Sequence, residues 1–503
     1  MFGVYNWFCM NALENPSKTA LITEAGRVSY GELNGRINRL AYGMKSAGIR
    51  KGTRVGLLFP NGQTYIEALF AVLKLGAFAV PFNTRFGAAE VTELVDAVGC
   101  EYMLYGKAFE GMVSDLECPG VLWYGEGELS SDYGKIANLY DNKMENWDFF
   151  EEMSAEDEVM AIFTGGTTGR SKAAVHTHQG LLMQVLPRVI DYTRTDVYLN
   201  FAPLFHVGGL SALMVTFATC NTFVSMERFI PEVIMRVIQE ERVTQMFLIP
   251  PNICERFKAS TEWGKYDLSS VRLVRVGGGA WNEKVIDDVF SVFPKAEIFN
   301  AYSCSEFIAC VNITCSRDMI KDNPKLTTVL GKPSYYTEIL VLDDDGKSVP
   351  CGVPGELWGK CPGMMKRYLG FNGSDRDGFM PTGDLVTVDE EGYVYFVSRK
   401  KDMIKCGGEN IYAQEVEDVI KRHPAVANCG VVGLPDSSWG EIVAAAVVLR
   451  PGMTLTADEL IEFCRRNMSS YKKPRKVFIM DALPLTAKGT VKKSELKEIL
   501  SAM

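Results

Sequence analysis

The sequence predicts an α/β protein: a large N-terminal domain of parallel-rich sheets covered by helices, followed by a small α+β domain. Three observations carry this expectation. A chain of 503 residues exceeds what one hydrophobic core covers, so two or more domains are expected. Strand-like apolar runs alternate with helical patterns through most of the first 400 residues or so, the signature of βαβ units. Around "EEGYVYFVSRKKDMIKCGGEN" (390–410) that alternation stops at a charged tetrad and a glycine pair.

Taken in order, "RVGLLF" (54–59) reads as a strand, 63–75 as a helix and "AFAVPF" (77–82) as the next strand. Further strands are expected at 197–202, 222–226, 245–250 and 271–278, with "PEVIMRVIQEE" (231–241) an amphipathic helix between two of them. No period of repeat length recurs. After the tetrad we expect a helix at 412–422, strands at 426–434 and 441–450, a helix at 457–466 and a strand at 476–480. About 100 residues are enough for an independent domain. The expected division is 1–398, a hinge at 399–402, and 403–503.

A net charge of −9 argues against a general nucleic-acid binder. The charge is uneven: from Phe463 to Met503 there are ten Lys or Arg against three Asp or Glu, which reads as a solvated surface or a face that meets phosphates. The 13 cysteines include no CxxC pair, and Cys304, Cys310 and Cys315 have no histidine nearby to complete a zinc site. Scattered thiols fit a reducing compartment. The first residues lack a signal-peptide pattern, and the longest apolar run is broken by Lys74 and Gly76, so no integral membrane segment is expected. These readings together predict a cytoplasmic protein.

The segment "MAIFTGGTTGRSKAAVHTH" (160–178) carries the strongest chemical signal. An apolar strand feeds a loop containing Gly165, Gly166 and Gly169, with Thr164, Thr167, Thr168 and Ser171 as hydroxyl donors and Lys172 as a cation. Glycines let a backbone approach a ligand and present successive N–H groups as an anion nest. This is a polyphosphate cradle, but the Walker spacing is absent and a strand follows it. These residues resemble the phosphate loop of the acyl-adenylate-forming superfamily, (S/T)SGTTGxPKG, found in acyl-CoA synthetases, peptide-synthetase adenylation domains and firefly-type luciferases. Gly165, Ser171 and Ala173 depart from the pattern; the TTG core and the lysine remain.

The resemblance recurs in order along almost the whole chain, and its implications follow motif by motif. "APLFHVGGL" (202–210) matches the histidine motif and implies that His206 borders an acyl pocket with Val207, Gly208 and Gly209. "VRVGGGAW" (274–281) implies that Gly278, Gly279 and Ala280 line the adenine and acyl sites, with Trp281 either a pocket cap or core. "NAYSCSE" (300–306) is similar to YGxTE: Asn300, Ala301 and Tyr302 would lie at the adenine, Ser305 at the α-phosphate, and Glu306 would hold Mg²⁺. A hard cation bridging phosphates takes one or two carboxylates. "MPTGDLVTVDEEGYVYFVSRKKD" (380–402) supplies Asp384 for the ribose hydroxyls, Phe396 and Arg399 at the nucleotide, and Lys401 at the hinge of a mobile small domain. "IKCGGEN" (404–410) implies a CoA-binding loop at Lys405, Gly407 and Gly408.

The implied activity is an ATP-dependent carboxylic acid–CoA ligase. Acid and Mg·ATP give acyl-AMP and pyrophosphate, then CoA takes the acyl group. The family places a lysine directly after the glycine near the C-terminus, yet "LPLTAKGTVKK" (483–493) has Thr490 there. Residues two apart in extended chain lie on one side about 6.5 Å apart, so Lys488 or Lys492 can stand in, and Lys488 abuts the glycine. Loading of a carrier protein, a luciferase-like oxygenase and a catalytically impaired nucleotide binder are the alternatives. The wall segments hold no conspicuous cation, which points to a monocarboxylic acid with an apolar aromatic or aliphatic tail. A homodimer is compatible with all of this.

Overall fold

The structure, a computed structural model, describes residues 3–126, 134–140, 151–164, 172–248, 253–277, 281–307, 310–369, 378–406, 409–486 and 489–503. It contains two compact units: Met1–Thr327 with Pro333–Thr337 and Lys360–Arg376, and Thr328–Lys332 with Glu338–Gly359 and Asp377–Met503. The second unit therefore begins upstream of the expected hinge.

In the first unit one sheet runs in the order Val311–Cys315, Glu297–Tyr302, Leu273–Gly277, Gln245–Leu248, Val197–Asn200, Thr222–Ser225, Thr19–Thr23, Gly26–Ser29. Its two ends pair antiparallel and the strands between them pair parallel. The other sheet runs Arg367–Tyr368, Lys172–Thr177, Glu158–Thr164, Phe78–Pro81, Arg54–Leu58, Tyr102–Tyr105, Leu122–Gly125, Gly134–Lys135. Parallel neighbours need long crossovers, and helices supply most of them.

Side chains alternate across each strand, and the burial follows that alternation. Tyr198 and Phe223 face an inner core, whereas their neighbours Leu199 and Val224 face an outer one. The inner core is filled by helices Val4–Glu14, Tyr30–Ser46, Gln63–Lys74 and Val207–Ala218, which pack against both sheets. Helix Val207–Ala218 is apolar around almost its whole circumference and buried nearly throughout, as an enclosed helix must be. Each fully buried Leu, Val or Phe contributes roughly 1.5–3 kcal/mol. Helices Pro231–Glu241, Ile253–Ala259 and Glu283–Val292 cover the first sheet's outer face, and Ala88–Val98 covers that of the second.

In the second unit, antiparallel strands run Glu338–Leu342, Gly355–Lys360, Met380–Val388, Val394–Arg399, Val329–Pro333. A further sheet holds Glu409–Tyr412, Met403–Cys406, Gly440–Leu449 and Val426–Asp436, with Lys476–Ile479 parallel to Gly440–Leu449. Val443, Ala445 and Val447 face helices Ala413–Lys421 and Ala457–Asn467. Ile442, Ala444 and Ala446 face Leu496 and Leu500 of helix Lys493–Ala502. This is the α+β unit expected from 412–480, with element ends within a few residues. No described helix is long and apolar enough to cross a membrane.

Candidate active site

Strands Glu158–Thr164 and Lys172–Thr177 form an antiparallel hairpin whose last described pair is Thr164 opposite Lys172. Lys172 and Thr164 are both half-buried at the base of the glycine loop. Gly165, Gly166, Thr167, Thr168, Gly169 and Ser171 lie outside the described residues, as do Gly278, Gly279, Ala280, Gly407, Gly408 and Lys488.

A short strand, Arg367–Tyr368, adds to this hairpin beside Val175 and Ala174. Backbone bonds from Lys366 N to Val175 O (2.7 Å) and Leu369 N to Ala173 O (2.8 Å) fix its register. Arg367 clamps it further with a two-pronged pair to Glu158, at 2.8 and 2.7 Å. This places the Lys172 ammonium 5.0 Å from the Tyr368 ring centroid. Tyr368 Oη in turn donates to Glu306 Oε1 at 2.7 Å. Burial, then that hydrogen bond, pushes the phenol well above its ordinary value, so it stays a donor.

Glu306 is presented by a tight turn in which Cys304 N and Phe307 O, and Phe307 N and Cys304 O, pair at 3.2 and 3.3 Å. Met365 N donates to the Glu306 carbonyl at 2.8 Å. The preceding carbonyl, Ser305 O, is held at 2.9 Å by Nε2 of His176, which is fully buried. Gln184 Nε2 lies 3.3 Å from His176 Nδ1, so this network puts the imidazole proton on Nε2. Burial pushes His176 down to about 4 and keeps it neutral. Asn300, Ala301 and Tyr302 end the strand that leads into this turn. Sequence reasoning missed His176, Gln184 and Tyr368. His176 stood in the quoted phosphate-loop segment, but nothing marked its contact 129 residues away. Tyr368 sits in a strand too short for any periodicity.

His206 caps the buried helix Val207–Ala218 and lies with its ring centroid 6.1 Å from that of Phe205. A Cβ on Gly209 would stand 2.5 Å from Pro203 O, so the room it leaves is filled by backbone. Among the described residues a Cβ on Gly208 would meet only the Phe247 ring, at 3.6 Å, and one on Gly277 would meet Ala301 O at 3.0 Å and the same ring at 3.4 Å. Phe247, packed beside both glycines, is a residue the motifs did not reveal. Trp281 donates from Nε1 to Leu326 O at 3.0 Å and packs on the outer-face core, which accounts for it as a structural residue.

In the second unit, Asp384 and Arg399 are cross-strand partners, with Nε 3.5 Å from Oδ1. Asp384 is buried and Arg399 exposed, and Gly383 at φ +73° supplies the irregularity within strand Met380–Val388 just before Asp384. Phe396 lies opposite Val386 on the same strand pair. Lys401 is exposed in the turn Lys400–Asp402, and Lys405 stands on the hairpin Met403–Cys406/Glu409–Tyr412. Much of the basic C-terminal patch is neutralised: Lys472 pairs with Glu415, Lys493 with Glu417 and Lys497 with Glu441, at 2.7, 2.9 and 2.8 Å. Lys473, Arg475 and Lys476 form no ion pair among the described residues, and Arg475 stacks 3.9 Å over Trp439.

Thr490 lies in the turn before the last helix. Gly489 has φ +80°, and Thr486 and Thr490 close the turn through their hydroxyls at 2.7 Å. The Lys492 ammonium pairs with Glu495 at 3.3 Å.

Residues 8–369 match the AMP-binding enzyme family and residues 415–490 the AMP-binding enzyme C-terminal domain. The chain is 31% identical to a feruloyl-CoA synthase of an Amycolatopsis species, covering 98% of each. It is 31% identical to a long-chain-fatty-acid–CoA ligase of Mycobacterium tuberculosis, covering 95% of this chain and 94% of that one. The o-succinylbenzoate CoA synthetase of Bacillus subtilis, solved with its acyl-adenylate intermediate, superposes with a TM-score of 0.83 at 27% identity over 98% of each chain. The chain belongs to the AMP-binding enzyme family, on its acid–CoA ligase branch.

Proposed function

We propose that this ligase activates a carboxylic acid with ATP and passes it to CoA in two half-reactions at one site. The single observation that supports the reading best is the Lys172–Tyr368–Glu306 array beside the phosphate loop. In the first step a carboxylate oxygen attacks the α-phosphorus, the bond to the β-phosphate oxygen breaks, and pyrophosphate leaves with that bond's electrons. In the second, the CoA sulfur attacks the acyl carbon, its proton is lost, and the acyl–oxygen bond breaks to release AMP.

An anion must approach a polyanion, so preorganised positive charge and donors are the main requirement. Lys172 and the loop N–H groups serve the phosphates. Asp384 supplies the paired acceptors for two ribose hydroxyls, and Arg399 the adjacent cation. His206 borders the acid, and the loop at Lys405, Gly407 and Gly408 serves the pantetheine. Glu306 fits a Mg²⁺ site, since one oxygen is oriented by Tyr368 and one carboxylate plus phosphate oxygens and water suits this ion; the metal would neutralise phosphate charge. Rotation about Lys401 between the steps exchanges the adenylating lysine, Lys488 or Lys492, for the CoA loop.

The test is mass-spectrometric detection of acyl-AMP and acyl-CoA from Mg·ATP, CoA and a panel of acids. Acyl-CoA from at least one acid class, abolished in Lys172→Ala, is the expected result. Bound ATP with neither product from any acid would support the impaired-binder reading instead.

A further inference from the structure

Ser211, one turn into the helix capped by His206, lines a narrow crevice with Gln184, Val207, Leu210 and Met214. Its hydroxyl donates to Gly208 O at 3.3 Å and accepts from Arg188 Nη1 at 2.7 Å. Arg275 stands on the strand that ends at Gly277, on the same side of the pleat, and is 5% exposed. It pairs with Asp191 Oδ2 at 3.1 Å and Gln245 Oε1 at 3.3 Å. The crevice is thus backed by Arg188 through Ser211, and Arg275 lies near enough for the two charges to interact.

Their donors are not all used. Arg188 Nε, Arg275 Nε and Arg275 Nη1 are closed off from solvent and have no hydrogen-bond partner among the described residues. The Tyr192 and Phe299 rings lie 5.3 and 4.7 Å from the Arg275 guanidinium carbon. Aromatic rings interact with a guanidinium through its flat face and leave the in-plane N–H edge unspent. Charge is unbalanced too. Among the described residues Asp191 is the only carboxylate paired with either group, because Asp196 is taken by Arg272 at 2.6 Å and by Thr244 and Gln245. Burial, then the charge of Arg275, pushes Arg188 down to about 10, so it is still cationic at neutral pH. Two cations against one anion in a largely buried site call for another anion, and a carboxylate offers paired in-plane acceptors.

We propose that Arg188 and Arg275 form a subsite for a second carboxylate at the far end of the acid, making the substrate a dicarboxylic acid. This rests on the ligase reading and runs against the expectation of an apolar tail. Neither arginine stood out in the sequence: Arg188 falls between motifs, and Arg275 reads as one polar residue within a buried strand.

The test compares matched acids on the full-length enzyme, butanoate to decanoate against butanedioate to decanedioate, reading acyl-CoA and the KM for each. At one or more lengths the diacid should exceed its monoacid in kcat/KM by ~10² or more, since removing the partner of a buried charged pair costs that much or more. Arg188→Met should bring this ratio down towards one, mainly through the KM for the acid, while Arg188→Lys retains part of it. Melting temperature and the KM for ATP verify that the variant is folded. If folding fails in Arg188→Met, the Arg188→Lys ratio and the wild-type ratio still decide. Preference for monoacids at every length overturns the subsite and leaves the ligase reading standing. A diacid preference that Arg188→Met and Arg188→Lys leave intact also overturns it. No thioester from either series, nor from aromatic acids, overturns both.

Discussion

Tyr368 Oη donates to Glu306 Oε1 at 2.7 Å, across 62 residues of sequence, while the same ring lies 5.0 Å from the Lys172 ammonium. One side chain thereby aligns a carboxylate and a cation from two different motifs. The hydrogen bond is to a carboxylate and is worth roughly 1.5–3 kcal/mol. Tyr368→Phe keeps the ring against Lys172 and removes only the donor to Glu306. Adenylation, followed by ATP–pyrophosphate exchange, should fall about tenfold or more, and more Mg²⁺ should be needed for half-maximal rate. An unchanged Mg²⁺ dependence would show that Tyr368 does not orient Glu306.

The glycine pair after His206 separates packing from pocket. Gly209→Ala places a Cβ 2.5 Å from Pro203 O, and both neighbours are backbone that cannot swing aside. Overpacking of this kind costs about 1–3 kcal/mol, so a lower melting temperature is expected together with weaker turnover, because the helix start carries His206. Among the described residues, Gly208→Ala meets only the Phe247 ring at ordinary contact distance. It should melt like the parent and shift the KM for the acid instead. If Gly208→Ala alters melting and not acid selectivity, Gly208 does not line the acyl site.

What could be read from the sequence, and what could not, follows physical range. The parallel strands and the helices between them were legible because each is a continuous apolar or amphipathic segment, such as 231–241. The motif residues were legible because glycines, Lys172 and Glu306 sit at telling spacings. Tyr368, His176 and Phe247 act through contacts made only after folding, at separations no local pattern encodes. Asp384 and Arg399 were separately visible, but their cross-strand pairing was not. The antiparallel strands between 329 and 388 were not legible in the sequence, since short half-exposed strands leave weak periodicity.

Two neutral buried histidines set a pH dependence. Burial lowers both His176 and His178 from 6.5 to about 4. The unfolded chain therefore takes up protons between these values and the folded chain does not. Stability is fully present above pH 6.5 and falls as pH drops through 6.5 towards 4. Each histidine contributes on the order of 3 kcal/mol across that window. Denaturant midpoints at pH 7, 6 and 5 should fall in sequence, and His176→Gln should flatten the slope by removing one titrating group. Equal slopes in parent and variant would show that His176 is not held neutral.

The adenylating lysine is decided by two alanine substitutions. Thr490 occupies the position after Gly489, and its hydroxyl is engaged with Thr486 in the turn. Lys492 is engaged as well: its ammonium pairs with Glu495, and its backbone N donates to Pro484 O at 2.8 Å as the last helix begins. Lys488 is therefore the residue we expect to supply the charge. Loss of one preorganised donor costs about 10²–10³ in rate. Lys488→Ala should lower acyl-AMP formation by that factor while leaving thioester formation from supplied acyl-AMP much less affected, because the lysine serves only the first half-reaction. Lys492→Ala should cost little, since its partner Glu495 is on the surface. The reverse pattern would assign the role to Lys492. Indifference of adenylation to both would mean that Lys172 and the phosphate loop carry the first step without a lysine from the C-terminal unit.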